Sequence, residues 1–373
     1  MDFSLSETQE SVRDLARQIF ADRVTHERLL AQERAGEWFD MELWQALVSG
    51  GLPAVAIPER VGGSGLGILE LCLVLEEQGR HVAPVPLFAT SLCGALPIAE
   101  FGTTAQQDRW LRPVVDEGAL LSAAFVELGA TDPTAPRCTA RRETGGWRLS
   151  GAKECVPVAD QALVVLVPAR APEGVRLFAV DPRGSGVTLE RQITTSREPQ
   201  FRLVLDGAKV GDDAVLGAPG RGEAMTAWLA DRAMLGLAAI QLGVVQSALR
   251  DTAAYIAQRK QFGRPIATFQ GVALRAADAW IDVEALRAVV MQAAWQASAG
   301  RDASAAIGAA KWWAATAGQR IVHTAQHLHG GTGSDLEYPV HRYFLWSKQN
   351  ELLLGGASLQ AARLGAHFAA GAE

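Results

Sequence analysis

Gln258-Arg259-Lys260-Gln261-Phe262-Gly263-Arg264-Pro265-Ile266 is the stretch from which the fold can be read. Upstream of it, from Ala224 to Arg259, there is no proline, and Gly236 and Gly243 are the only weak breakers. That run predicts one long helix. Gly263-Arg264-Pro265 ends it, because proline has no backbone N–H to continue the helical ladder and glycine opens the turn. Downstream, the spacing of apolar residues predicts a helix from Phe269 to about Ala299, another from Ala303 to about Leu328, and a last from about Val340 to Leu354. Alanine-rich helices of this length, joined by short loops, pack antiparallel as a bundle.

Going back toward the N-terminus, the signal changes. SAAFVEL, RCTARRE, GWRLSGA, ALVVLVPA, VRLFAV, GVTLERQI and FRLVLDG are short and rich in Val, Leu, Phe and Thr, and turn residues separate them. They predict strands of a small sandwich or barrel, with Thr144-Gly145-Gly146 as a hairpin turn. Before them the chain reads as helix again. Ser6 and Gln9 have the form of a capping box, followed by Val12, Leu15, Ala16, Ile19 and Phe20 on one face. Further helices are predicted over 41–47, ending at Gly50-Gly51, over 68–78, ending at Gly79, and from Thr103 and Thr104 to 116. The expected class is α+β, mostly α. It comprises an N-terminal helical domain (residues 1–118), a central small β-barrel or sandwich (119–220) and a C-terminal four-helix bundle (221–373).

The 373 residues are 49% hydrophobic and 20% charged with a net charge of -6, the composition of a globular chain with room for a large core. A mildly acidic chain with no basic cluster argues against a nucleic-acid face. The four cysteines, Cys72, Cys93, Cys138 and Cys155, form no CxxC pair and are expected as buried free thiols. No uninterrupted apolar run of about 18 residues predicts a membrane span, and MDFSLSETQESVRDL lacks the regions of a signal peptide. A cytoplasmic protein is expected.

Two stretches carry candidate chemistry. A helix ending in Arg259 and Lys260 beside Phe262 offers an anion site with a planar stacking surface, which a nucleotide diphosphate and its adenine both need. Alternatively, the same cations merely complement the negative end of a helix dipole. The second stretch is Gln326-His327-Leu328-His329-Gly330-Gly331-Thr332-Gly333, whose paired glycines permit close backbone approach to a ligand. His323 and His327 stand four apart on a helix, but without the carboxylate of an HExxH motif the metal reading is weak. GxSxG, GxxxxGK[ST] and GxGxxG are all missing, which argues against a Rossmann-type flavin enzyme.

The order of domains and these stretches resemble the acyl-CoA dehydrogenase family over essentially the whole chain. GLPAVAIPERVGGSGLGILEL is similar to that family's N-terminal signature, and RKQFGRPIATFQ and HLHGGTG followed by YPVHRYF are similar to its C-terminal motifs. The resemblance implies FAD as cofactor, an acyl-CoA substrate and an electron-transfer acceptor. It implies a reaction in which a Glu takes the α-proton of the thioester while the β-hydride moves to the flavin. It also assigns Arg259 and Phe262 to the FAD diphosphate and adenine across a subunit interface, with Gln270, His327, Gly330 and Gly331 completing that set.

The departures are as informative. Where the family's Tyr-Glu-Gly-Thr belongs, this chain reads Leu353-Leu354-Gly355-Gly356, which puts Leu354 at the position of the base. The family's alternative base position falls near Ala233; Asp231 is a weak substitute, two helical residues and therefore about 200° away around the axis. Leu-Thr-Glu-Pro is replaced by Phe125-Val126-Glu127-Leu128, and Trp-Ile-Thr after Gly-x-Lys is replaced by Cys155-Val156-Pro157 after Gly151-Ala152-Lys153. The chain therefore looks like the non-catalytic subunit of the heteromeric α2β2 acyl-CoA dehydrogenases of actinobacterial steroid side-chain degradation. The expected partner is a homologous subunit bearing the catalytic Glu. The other readings are a self-sufficient dehydrogenase or oxidase with an unusual base, and a flavin-free acyl-CoA-binding or scaffold protein.

Overall fold

The computed structural model of the chain describes residues 4–370. Ser6 and Gln9 form the expected capping box at the start of α1 (Glu7–Arg23). Thr25 caps α2 (His26–Ala35) and Asp40 caps α3 (Met41–Ser49). Then come α4 (Ile68–His81), a buried π-helix over Phe88–Ala95 that runs into α5 (Leu96–Phe101), and α6 (Thr104–Glu117), capped by Thr103. The strands are β1 (Leu120–Ala123), β2 (Thr139–Glu143), β3 (Gly146–Pro157), β4 (Ala162–Ala171), β5 (Gly174–Val180), β6 (Val187–Gln192), β7 (Gln200–Val210) and β8 (Val215–Leu216). The chain ends in α7 (Gly222–Gln258), the two-residue strands β9 (Lys260–Gln261) and β10 (Arg264–Pro265), α8 (Gln270–Ser298), α9 (Ser304–His329), α10 (Val340–Leu352) and α11 (Ala357–Ala370).

The strands form one eight-stranded sheet in the order β6-β7-β3-β2-β4-β5-β8, with β1 parallel on β4. Thr144 and Gly145 make the predicted hairpin turn between β2 and β3, with Gly145 at φ +80. By contrast, α4 does not stop at Gly79 but runs to His81. The glycine is needed there for packing: a Cβ on it would lie 2.0 Å from the Ile240 carbonyl oxygen on α7. α10 ends two residues before the predicted Leu354, and α11 adds a fifth long helix after the expected four.

The chain divides into two compact units. One contains residues 1–37, 72–83 and 234–373. There α4 and α7 approach glycine to glycine, because a Cβ on Gly243 would come within 1.9 Å of the Glu76 carbonyl oxygen. A buried polar triad links α7 to α10: Gln241 donates to Ser347 at 2.7 Å and accepts from Asn350 at 3.1 Å. α7 is long and apolar enough to cross a membrane, but 94% of its apolar window is buried inside the protein, as in a core helix. The other unit contains residues 38–71 and 84–233 and holds the sheet. In it, the Trp44 indole donates to the Gly118 carbonyl at 2.7 Å, and the Gln106 amide donates to the Asp213 and Val215 carbonyls. The first bond ties α3 to the end of α6, and the other two fasten α6 to the β8 edge of the sheet.

Candidate functional site

The turn between α7 and α8 is a small antiparallel ladder in which Arg264 pairs with Gln261 and Pro265 with Lys260. Its tip is Phe262-Gly263, both in the left-handed region, at φ +53 and +80. A non-glycine residue held there is strained, and this one carries a phenyl ring that is 92% exposed. The ring lies edge-on to Phe269 at 6.2 Å, and Arg264 covers the face of Phe269 at 4.2 Å. Arg259 and Gln270 are exposed at the two feet of the turn. The apolar ring and the cations thus point outward, where they can serve a ligand or another chain.

The second motif stands beside the first. Tyr255, one helical turn before Arg259, stacks on His329 at 4.3 Å, and its hydroxyl donates to the His329 carbonyl at 3.4 Å. This contact brings the ends of α7 and α9 together. His327 is exposed on α9, while His329 is buried. Burial lowers the His329 pKa, and its Nδ1 lies 2.8 Å from the Ala325 carbonyl, so the neutral ring donates through Nδ1. Gly330 has φ 61 and ψ −138, which only glycine adopts readily. Gly331 has no such constraint, and a Cβ on it would touch nothing within 4 Å. Neither its backbone nor the crowding of its own chain requires glycine at 331. Tyr255 and His329 were not singled out from the sequence; the i−4 spacing of Tyr255 from Arg259 was the available signal.

The β-unit segments split into two kinds of residue. Glu127 and Lys153 form a buried ion pair at 2.7 Å, and the Glu127 carboxylate also accepts from the backbone N–H groups of Arg137 and Cys138. Burial pushes the Glu127 pKa up, but these bonds outweigh it and hold the carboxyl below its usual value. The neighbouring Val126, Cys155 and Pro157 offer no comparable polar group. Val126 makes an isolated backbone bridge to Glu154, Cys155 sits at φ +52, and Pro157 lends its carbonyl to the Ser122 hydroxyl at 2.6 Å. The pair that braces the backbone is present, while the side chains beside it are apolar or small.

The turn after α10 is held firmly. Lys311, fully buried on α9, donates to the carbonyls of Asn350, Glu351 and Gly355 at 2.9, 2.9 and 3.1 Å. Gln360 on α11 donates to the carbonyls of Leu354 and Gly355, and Arg363 reaches the Leu354 carbonyl at 3.4 Å. Leu354 itself lies in the left-handed region at φ +60. The nearest carboxylate in sequence, Glu351, is paired with Lys348 at 2.8 Å. On α7, Ala233 is fully buried and Asp231 is half-buried next to Arg232, whose guanidinium stacks on Trp228 at 4.2 Å. Among the described residues no three His, Cys, Asp or Glu side chains gather as a metal site.

These features have clear relatives. Residues 6–118 match the model of the acyl-CoA dehydrogenase N-terminal domain, and residues 220–368 match that of the C-terminal domain. The chain belongs to the acyl-CoA dehydrogenase family. It is 36% identical to acyl-CoA dehydrogenase FadE27 of Mycobacterium tuberculosis over 377 residues, covering 99% of each chain. Among solved structures, it is 47% identical to a variant of the Tcur3481-Tcur3483 steroid ACAD, with TM-score 0.92 and 99% of each chain covered. The ChsE4-ChsE5 complex from Mycobacterium tuberculosis matches at 36% identity and TM-score 0.93, again over 99% of each chain. Acyl-CoA dehydrogenases are FAD-dependent oxidoreductases. The outward set of a guanidinium, an exposed phenyl ring and an open glycine pair suits an anionic diphosphate and an adenine. The Val126, Cys155 and Pro157 positions do not suit a flavin ring, which needs hydrogen-bond donors and a stacking surface.

Proposed function

We propose that this acyl-CoA dehydrogenase is the non-catalytic subunit of a heteromer, completing the FAD site of a homologous partner subunit that carries the catalytic Glu. The reaction of the pair is the introduction of an α,β double bond into an acyl-CoA thioester, for which FAD supplies the hydride acceptor. In this chain Arg259 holds diphosphate oxygens, Phe262 stacks on the adenine, and the backbone at Gly330 and Gly331 closes over the nucleotide. Gln270 and His327 add hydrogen bonds at the edge. The observation that carries the reading is the turn at Leu354. A hydrocarbon occupies the position of the base, and a lysine, a glutamine and an arginine fix that turn around it. A leucine cannot accept an α-proton, so the carboxylate has to come from elsewhere.

A steroid side-chain CoA ester is the substrate class we favour, since similar structures include a steroid ACAD and a two-component complex. A cytoplasmic site and reoxidation by an electron-transfer acceptor belong to the same proposal. Purified alone, the chain is expected to be colourless and inactive. Co-purified with the Glu-bearing homologue, it is expected to show flavin absorbance and to oxidise the acyl-CoA. Arg259→Ala then weakens FAD retention roughly 10- to 100-fold, the worth of a charge-assisted hydrogen bond of about 1.5–3 kcal/mol. A yellow, active isolated chain whose turnover is abolished by Asp231→Asn would overturn the proposal in favour of a self-sufficient enzyme.

A further inference from the structure

The loop between β6 and β7, residues 193–199, holds a carboxyl that no cation answers. Glu198 is half-buried, and its Oε2 accepts from the Gln200 amide at 3.0 Å, the one side-chain bond it makes among the described residues. Gln200, on β7, is fully buried, and its own Oε1 meets no donor among the described residues. From the π-helix the titratable group that faces the carboxyl is Cys93, whose thiol is pushed well up by burial and further by the charge of Glu198. The end of β3 brings Pro157 and Val158 and no charge, and Arg197 on the loop itself is exposed. A carboxylate in this place gives up water for a single amide donor. Protonation removes the charge and supplies an O–H beside an amide oxygen that has no donor. Burial accordingly pushes this carboxyl up to about 7, against about 4.3 for an unfolded glutamate.

The backbone around Glu198 is poised to move. Arg197 lies in the left-handed region at φ +62, and the facing end of β3 has two more such residues, Cys155 at φ +52 and Val158 at φ +44. A β-branched side chain at positive φ is strained, and such a conformation persists only while its neighbours hold it. A bond that joins the two strained segments runs from the Val158 N–H to the Pro199 carbonyl at 2.8 Å, one residue beyond Glu198. Ties within the loop are short-range: the Arg197 N–H donates to the Thr194 carbonyl at 3.1 Å and the Glu198 N–H to the Ser196 hydroxyl at 3.4 Å.

We infer that the 193–199 loop is a proton-controlled flap, closed on the end of β3 while Glu198 is protonated and lifted from Val158 when Glu198 ionises. In the open loop the carboxyl titrates as in an unfolded chain. The open state therefore binds fewer protons between about 4.3 and about 7, and gains on the closed state as pH rises through that range. The flap needs neither FAD nor a partner subunit, so the isolated full chain suffices for the test. Hydrogen exchange of the Val158 amide, corrected for the intrinsic pH dependence of exchange, reads the opening. Its protection is expected to fall by up to about tenfold per pH unit from about pH 5 to about pH 7 and to level off above, where the closed loop is itself ionised. Glu198→Gln, which puts an amide where the protonated carboxyl stood, is expected to keep that protection constant, with amides of the β2–β3 hairpin unchanged in both chains. Infrared spectra of the unaltered chain supply a measurement that needs no variant to fold: a protonated-carboxyl band is expected to vanish as pH rises through about 7. Protection at Val158 that ignores pH, a pH dependence that survives in Glu198→Gln, or the lack of such a band overturns the inference.

Discussion

At the residue scale the most consequential side chain is one that touches no ligand. Lys311 is fully buried, and burial pulls its pKa down to about 7. Its three carbonyl partners sit where the end of α10 carries partial negative charge, and only an ammonium has three N–H bonds to give them. Lys311→Met leaves those carbonyls unsatisfied and is expected to cost about 2–4 kcal/mol, by the usual cost of orphaned buried acceptors. The expected readouts are a lower urea midpoint and faster amide exchange at Gly355, whose N–H bonds to the Leu352 carbonyl. The pH dependence has a definite sign. A lysine titrates near 10.4 when unfolded and lower here, so at this group the unfolded chain binds more protons between those values, and the lysine's own contribution to stability rises with pH from about 7 toward 10. The methionine variant should lack that rise.

At the scale of elements, the close crossing of α4 and α7 sets what the sequence can tolerate. Glycine inside a helix costs roughly 1 kcal/mol against alanine, so Gly243→Ala would stabilise an isolated α7. In the folded protein the added Cβ meets the Glu76 carbonyl oxygen at 1.9 Å and the Arg80 backbone nitrogen at 2.5 Å, neither of which can turn aside. Overpacking of this kind costs about 1–3 kcal/mol and reverses the sign. Thermal unfolding of Gly243→Ala is expected at a lower temperature than the parent; a higher temperature would mean that the helices separate without cost. The same crossing explains why Gly79 does not end α4: a glycine whose sequence context predicts a stop serves as a contact surface.

At the scale of the whole molecule, the retained and lost residues divide by task. Glu127 and Lys153 are kept, and they brace backbone through buried bonds. Val126, Cys155, Pro157 and Leu354 bring no charged or hydrogen-bonding side chain of that kind. If FAD binds only to the assembled pair, added FAD stabilises the pair by RT ln(1 + [FAD]/Kd), about 2.7 kcal/mol at a hundredfold excess over Kd. The melting temperature of the pair is expected to climb with FAD concentration while that of the isolated chain stays flat. A rise in the isolated chain would assign the nucleotide site to this subunit by itself.

Local chemistry along the chain was enough to determine much of this. Proline-free alanine runs, cap residues such as Ser6 and Thr103, and alternating apolar strands depend on neighbours within a few residues, so the helix–sheet–helix order and the stretches at 258–266 and 326–333 were legible from the sequence. The departures expected at 354, 126 and 155–157 rest on the resemblance to the family's motifs, which fix what to expect at each position. What needed the tertiary structure were contacts between residues far apart in sequence. Tyr255 stacking on His329, Lys311 capping the end of α10, the glycine crossing at 79 and 243, and the uncovered half of α8 all depend on where other helices lie. Helical periodicity marks an apolar face on α8, but only packing shows which part of that face the chain itself covers.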